Sequence, residues 1–108
     1  MSAELDLLPQ ESLEAAAECL RVLGHPVRLR IVDILMQGEF PVNQIAELCS
    51  IRPHQTSEHL RLLQGRGLLS SRRDGHTVYY KVADPRLPAL LGCIRRCCGL
   101  EPYGRGRS

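Results

Sequence analysis

The apolar positions of this chain keep a helical period through four stretches, switch to alternation in a fifth, and return to the helical period in a last one. From about Glu11 to Leu23, ESLEAAAECLRVL sets Leu13, Ala16, Ala17, Leu20 and Leu23 on one side, with Cys19 close to it. Gly24-His25 stops this helix, and Pro26 opens the next, where its missing N–H does no harm. In PVRLRIVDILMQ the inward set is Leu29, Val32, Leu35 and Met36, and Gly38 closes the helix. After Phe40-Pro41, a face of Val42, Ile45, Ala46 and Cys49 is broken by Ser50-Ile51-Arg52 and restarted by Pro53. The helix that follows keeps Thr56, Leu60 and Leu63 inward at i, i+4 and i+7, which turns His54, Gln55, Ser57, Glu58 and Arg61 outward.

Beyond Gly65-Arg66-Gly67 the period changes to two. In LLSSRRDGHTVYYKV, Arg72 and Arg73 precede Asp74-Gly75, a pair that predicts a type I′ turn with positive φ at both central positions. After it Val78, Tyr80 and Val82 alternate with Tyr79 and Lys81. The helical period returns at Asp84-Pro85, with the Asp84 side chain placed to accept from an early N–H, and runs through PRLPALLGCIRRCC to a stop at Gly99. Pro88 falls in the first turn and need not break it. Two short helices on a tight turn, followed by a basic hairpin, describe a winged helix-turn-helix: mainly α with a small β-hairpin wing, five helices and two strands. Residues 1–10 are expected to be a loose arm and residues 11–98 the domain. The polar, glycine-rich tail at 99–108 is expected to be disordered.

Charge sharpens this picture. The chain has 108 residues and a net charge of +2. Residues 52–81 carry six Lys and Arg against two Asp and Glu, a net +4, which leaves −2 for the rest. Positive charge concentrated on the helix-and-wing segment is the footprint of phosphate binding. On the outward helix face, Gln55 suits adenine, Glu58 suits cytosine, and Ser57 and Arg61 suit phosphates; Arg72 and Arg73 on the wing suit the backbone or an adjacent minor groove. His59 borders the inward face, so packing and DNA contact both stay open for it, whereas His54 and His76 are placed to meet phosphate.

Other classes fit less well. No stretch approaches the roughly 18 apolar residues of a membrane span, and MSAELDLLPQ lacks a signal pattern, so a cytoplasmic protein is expected. In that compartment five cysteines read as thiols or metal ligands rather than as a disulfide framework. Without a Cys-x-x-Cys beside a βαβ pattern or a phosphate-cradling loop, and with too little chain for a substrate cleft, an enzyme is not expected. A domain this small buries only part of its surface, so pairing with a second copy would help it.

Leu23-Gly24-His25-Pro26-Val27-Arg28-Leu29, Ile45-Ala46, Thr56-Ser57-Glu58-His59-Leu60, Gly67-Leu68 and Arg72-Arg73-Asp74-Gly75 with Tyr79-Tyr80, in this order and spacing, resemble the ArsR/SmtB family of small bacterial repressors. The resemblance covers roughly residues 15 to 90. It implies a homodimer through the first and last helices, binding to an inverted-repeat operator in double-stranded DNA, and release by an inducer, often a thiophilic or divalent metal. Three of the family's sensing sites find no match. The stretch where arsenical repressors carry a Cys-Val-Cys box is here Glu39-Phe40-Pro41-Val42-Asn43-Gln44; the last helix has only Asp84 of the Asp and His ligands of zinc and nickel sensors; and the second helix has Asp33 where persulfide sensors have Cys.

What remains is Cys93, Cys97 and Cys98 on the last helix, where some family members carry an arsenic-binding trio. Cys93 and Cys97 are i, i+4 on one face, and Cys98 lies about 100° further round, at an end that frays. Three thiolates would suit As(III), Cd(II) or Pb(II), and Arg95 and Arg96 would favour their ionised form. A redox or reactive-sulfur switch and plain apolar packing are the alternatives. Cys19 could approach the last helix across a dimer, and Cys49 reads as packing.

Overall fold

A computed structural model describes residues 4–98. Helices α1 (Gln10–Leu23) and α2 (Pro26–Leu35) are followed by a short strand β1 (Phe40–Pro41), helices α3 (Val42–Cys49) and α4 (Pro53–Gly65), strands β2 (Leu69–Asp74) and β3 (Thr77–Val82), and helix α5 (Leu87–Cys97). Residues 4–9 are exposed and without regular structure, while the tail and the Gly99 stop lie outside the described residues.

The core gathers one face from each element. Ile31 and Val32 of α2, Ile45 of α3, and Leu60 and Leu63 of α4 are fully buried, and Leu23, Leu68, Leu69 and Leu87 close around them. Thr56 is buried with them, because its hydroxyl donates to the Arg52 carbonyl at 3.0 Å and so carries no unmet polar group into the core. On α2 Val32 and Leu35 are buried as expected and Ile31 joins them, whereas Leu29 and Met36, expected inside, are only half-buried. The apolar stripe of α1 is mostly uncovered: Val22 and Leu23 are buried, but Leu13 is 46% and Leu20 57% exposed.

The turn between α3 and α4 places Ser50 in the left-handed region at φ 59°, ψ 41°, and the Ile51 N–H donates to the Ala46 carbonyl at 3.1 Å. Pro53 then starts α4 in its first turn, as its fixed φ favours.

Three local details differ from the sequence pattern. The sheet has three strands in the order β1-β3-β2, because Phe40 pairs with Tyr80 and Pro41 with Tyr79. Two residues cannot show alternation, and proline, which lacks the N–H a ladder needs, is tolerated at this edge. In the wing, Asp74 pairs with Thr77, so the two-residue loop is Gly75-His76. Only Gly75 has positive φ, at 67°, which is the pattern of a type II′ turn and not the type I′ turn that Asp74-Gly75 predicted. Finally, the Asp84 carboxylate accepts from the Arg86 N–H at 2.8 Å and pairs with its guanidinium, capping a turn that precedes α5 rather than α5 itself. These bonds hold the Asp84 carboxyl at about 2.

Candidate nucleic-acid interface and cysteine pair

Helix α4 turns its polar side outward because Thr56, Leu60 and Leu63 anchor the other side. His54, Gln55, Glu58 and Arg61 are exposed and Ser57 is half-buried. Three of these have internal contacts. The Gln55 Oε1 accepts from the Arg52 N–H at 3.4 Å, and His54 Nε2 lies 3.3 Å from a Glu58 carboxylate oxygen. The ring of His59 turns toward α2 instead. Its Nδ1 accepts from the Arg28 Nε at 3.2 Å, and it packs against His25 with ring centroids 4.9 Å apart. That half-buried setting gives it internal contacts, which suit packing, one of the two roles its sequence position left open.

The wing is tied back to the body. Gln64 at the end of α4 donates to the Ser71 hydroxyl at 3.1 Å. Arg72 pairs through Nε with Glu39 at 2.6 Å, and its guanidinium lies 4.7 Å from the Tyr79 ring centroid. The bond to Glu39 raises the Arg72 pKa. Arg66 is paired with Glu18 of α1. Among the described residues, Arg52, Arg61, Arg73 and Lys81 have no such ion pair, and all four are exposed. Thus the basic segment keeps four uncommitted cations, two of them, Arg73 and Lys81, on the wing. Sequence reasoning did not single out Arg52 as a contact, nor Glu39, Arg28 or Gln64 as supports, since pairings so distant along the chain leave no local pattern.

On α5 the structure brings two of the three cysteines together. Cys93 Sγ and Cys97 Sγ lie 3.7 Å apart, both exposed. Cys98 is the residue that ends the helix, and no group of three His, Cys, Asp or Glu side chains is gathered among the described residues. Its place round the helix is the reason: one residue past Cys97 it has left the shared face. The Cys97 thiol is pushed up, first by its hydrogen bond with Cys93 and the charge that Cys93 would carry; Arg96 pulls the other way and is outweighed. Arg95 is engaged with Asp33 of α2. The two arginines therefore do not keep Cys97 ionised, contrary to the expectation from their proximity in sequence.

Cys19 is half-buried against the core and shares a cleft with Leu87 and Leu90, at the start of α5 in its own chain. Cys49 is half-buried beside the core, and burial raises its thiol.

A helix-turn-helix domain model matches residues 23–72. The repressor SmtB of Mycobacterium tuberculosis is 35% identical over 83 residues, covering 77% of this chain and 62% of that protein, so the chain spans less than two thirds of its length. A probable mercury resistance operon repressor of Streptomyces lividans is 33% identical over 88 residues, covering 82% of this chain and 70% of that one. The solution structure of Mb0332 from Mycobacterium bovis, a homodimeric winged helix-turn-helix DNA-binding domain and possible ArsR-family regulator, superposes with a TM-score of 0.75 at 26% identity, covering 100% of this chain and 99% of that one.

Helix-turn-helix and wing together define a winged helix-turn-helix domain. The chain belongs to the ArsR/SmtB family.

Proposed function

We propose that this chain is a transcriptional repressor that acts as a homodimer on an inverted-repeat operator in the cytoplasm, a regulator and not a catalyst. The observation that carries this reading is the outward face of α4, with Gln55, Ser57, Glu58 and Arg61, flanked by the uncommitted Arg73 on the wing. Gln55 and Glu58 would read base edges, Ser57, Arg61 and His54 would meet phosphate, and Arg72 would add charge to the wing while holding it to Glu39. The half-exposed apolar stripe of α1, with Leu13 and Leu20, is the surface a second copy would cover together with α5. Two-fold pairing sets the recognition helices about 34 Å apart, one turn of duplex. The mycobacterial dimer supports this assembly.

The inducer in this reading is thiophilic and binds Cys93 and Cys97, with Cys98 joining as the last turn of α5 opens; As(III) comes first, then Cd(II) or Pb(II). The mercury-operon relative supports a soft ligand for the family. A second reading rests on the same 3.7 Å contact, since two thiols so close also suit a redox or reactive-sulfur switch.

The test is equilibrium binding of reduced protein to an inverted-repeat operator, titrated separately with arsenite, Cd(II), Zn(II) and an organic polysulfide. Release by arsenite or Cd(II), with Cys93→Ser/Cys97→Ser remaining bound, supports the metalloid reading. Release by polysulfide alone replaces it with the redox reading, and failure to bind duplex DNA in a salt-dependent way removes the repressor reading altogether.

A further inference from the structure

Helix α4 is held in place by more than apolar packing. Arg28, half-buried on α2, donates through one terminal nitrogen to the Val22 carbonyl at the end of α1, at 3.0 Å, and through Nε to His59 Nδ1 on α4, at 3.2 Å. One guanidinium thereby spans α1, α2 and α4. His25, which packs against His59, uses its own Nδ1 to accept from the Val27 N–H at 3.1 Å and so caps α2.

We infer that Arg28 and His59 are positioning residues for the recognition helix: their hydrogen bond fixes the rotation of α4 about its axis, and with it the direction in which Gln55, Glu58 and Arg61 point. This rests on the DNA-binding reading above. Neither residue touches DNA in it. Leu60, Leu63 and Thr56 alone would let the helix roll on its apolar face; the Gln64–Ser71 bond resists this at its end, and the Arg28–His59 bond resists it beside Glu58 and Arg61.

The bond also has a polarity. A guanidinium only donates, so Nδ1 accepts only while the imidazole is neutral. The charged and titratable groups facing His59 are Arg28 on α2, His25 at its cap, and Glu58 on α4. Burial first, then His25 and Arg28, lower the His59 pKa, and Glu58 opposes them without prevailing. Acid therefore replaces an acceptor with a second donor aimed at a cation, and the tether is lost as pH falls through the His59 pKa, which lies beneath the ordinary histidine value.

The experiment is operator binding by fluorescence anisotropy at pH 7.5 and at an acid pH where NMR of the natural chain shows the His59 imidazole protonated, for the full chain, His59→Asn and His59→Leu, with circular dichroism of each at both pH values. The Asn Oδ1 sits where Nδ1 does and accepts without titrating. At pH 7.5, His59→Asn should match the natural chain and His59→Leu should bind about tenfold more weakly, the scale of one charge-assisted hydrogen bond. Acidification should weaken the natural chain by a similar factor but not His59→Asn. Parallel pH profiles for the natural chain and His59→Asn, or full affinity in a folded His59→Leu, would overturn the positioning role. Absence of operator binding by the natural chain at pH 7.5 would overturn the DNA reading and the role with it.

Discussion

Cys93 and Cys97 lie one helical turn apart with their sulfurs 3.7 Å from each other on the exposed side of α5. Their mutual contact raises the Cys97 pKa above the ordinary thiol value and so favours the protonated form. The protonation state separates the two kinds of soft inducer. Arsenous acid condenses with thiols and releases water, so the thiol protons leave with its hydroxyl groups and no net proton is exchanged. Cadmium must displace the protons. Operator release by Cd(II) is therefore expected to sharpen by about a hundredfold per pH unit for two thiols, while release by arsenite stays nearly flat between pH 6 and 8. Titrations at three pH values check this; equal slopes would mean that the pair is not the ligand.

Wing cations divide by whether they are already paired. Arg73 is exposed and without an ion pair among the described residues, whereas Arg72 is bonded to Glu39. Arg73→Ala should reduce the slope of log affinity against log salt by about one, and Arg72→Ala by less, because part of its charge is met within the protein. Arg72→Ala should instead lower thermal stability, through loss of the Glu39 bond and the Tyr79 stacking. Salt series on both variants decide the matter, and an equal slope change in the two would refute the division.

Most of the fold was legible because helical period and proline position agree. Pro26 and Pro53 sit at helix starts, and Ile45, Leu60 and Leu63 occupy the inward side that their spacing implies. Legibility ended where a partner lies far along the chain. The outward setting of Gln55 and Glu58 follows from spacing alone, yet nothing near His59 announces Arg28, thirty-one residues away. Likewise β1 was missed because two residues carry no period, and the wing turn was assigned one residue early because pairing between Asp74 and Thr77 fixes the loop as Gly75-His76. At the cysteines, spacing gave the Cys93 and Cys97 contact but not the effect of Cys93 on its neighbour, which outweighs Arg96.

Leu20 offers a direct test of assembly. It is 57% exposed on α1, so a charge there costs the single chain little, while burial against a second copy would strand that charge. Leu20→Glu should sediment as a monomer with native helix content and lose at least about tenfold in operator affinity, as one half-site replaces two. A dimer of unchanged stability would remove α1 from the interface.

Glu18 joins α1 to the end of the recognition helix. Its carboxylate accepts from Arg21 at 2.6 Å and pairs with Arg66, and these bonds lower its pKa from 4.5 to about 2, with the Arg21 hydrogen bond the larger cause. The sign of the linkage follows. A carboxyl that is harder to protonate when folded adds stability above pH 4.5, and that contribution is lost as pH falls toward 2. The side chain is 39% exposed, so solvent and salt screen much of the effect. Melting temperatures of the natural chain and Glu18→Gln should therefore differ above pH 4.5 at low salt and converge on acidification, with the gap narrowing as salt rises. Because Glu18 reaches Arg66 on the far end of α4, the same variant should also loosen the tie between α1 and the recognition helix. Hydrogen exchange of the last turn of α4 should quicken in Glu18→Gln while the turn around Leu60 stays protected, and uniform quickening along α4 would show that the ion pair acts on global stability alone.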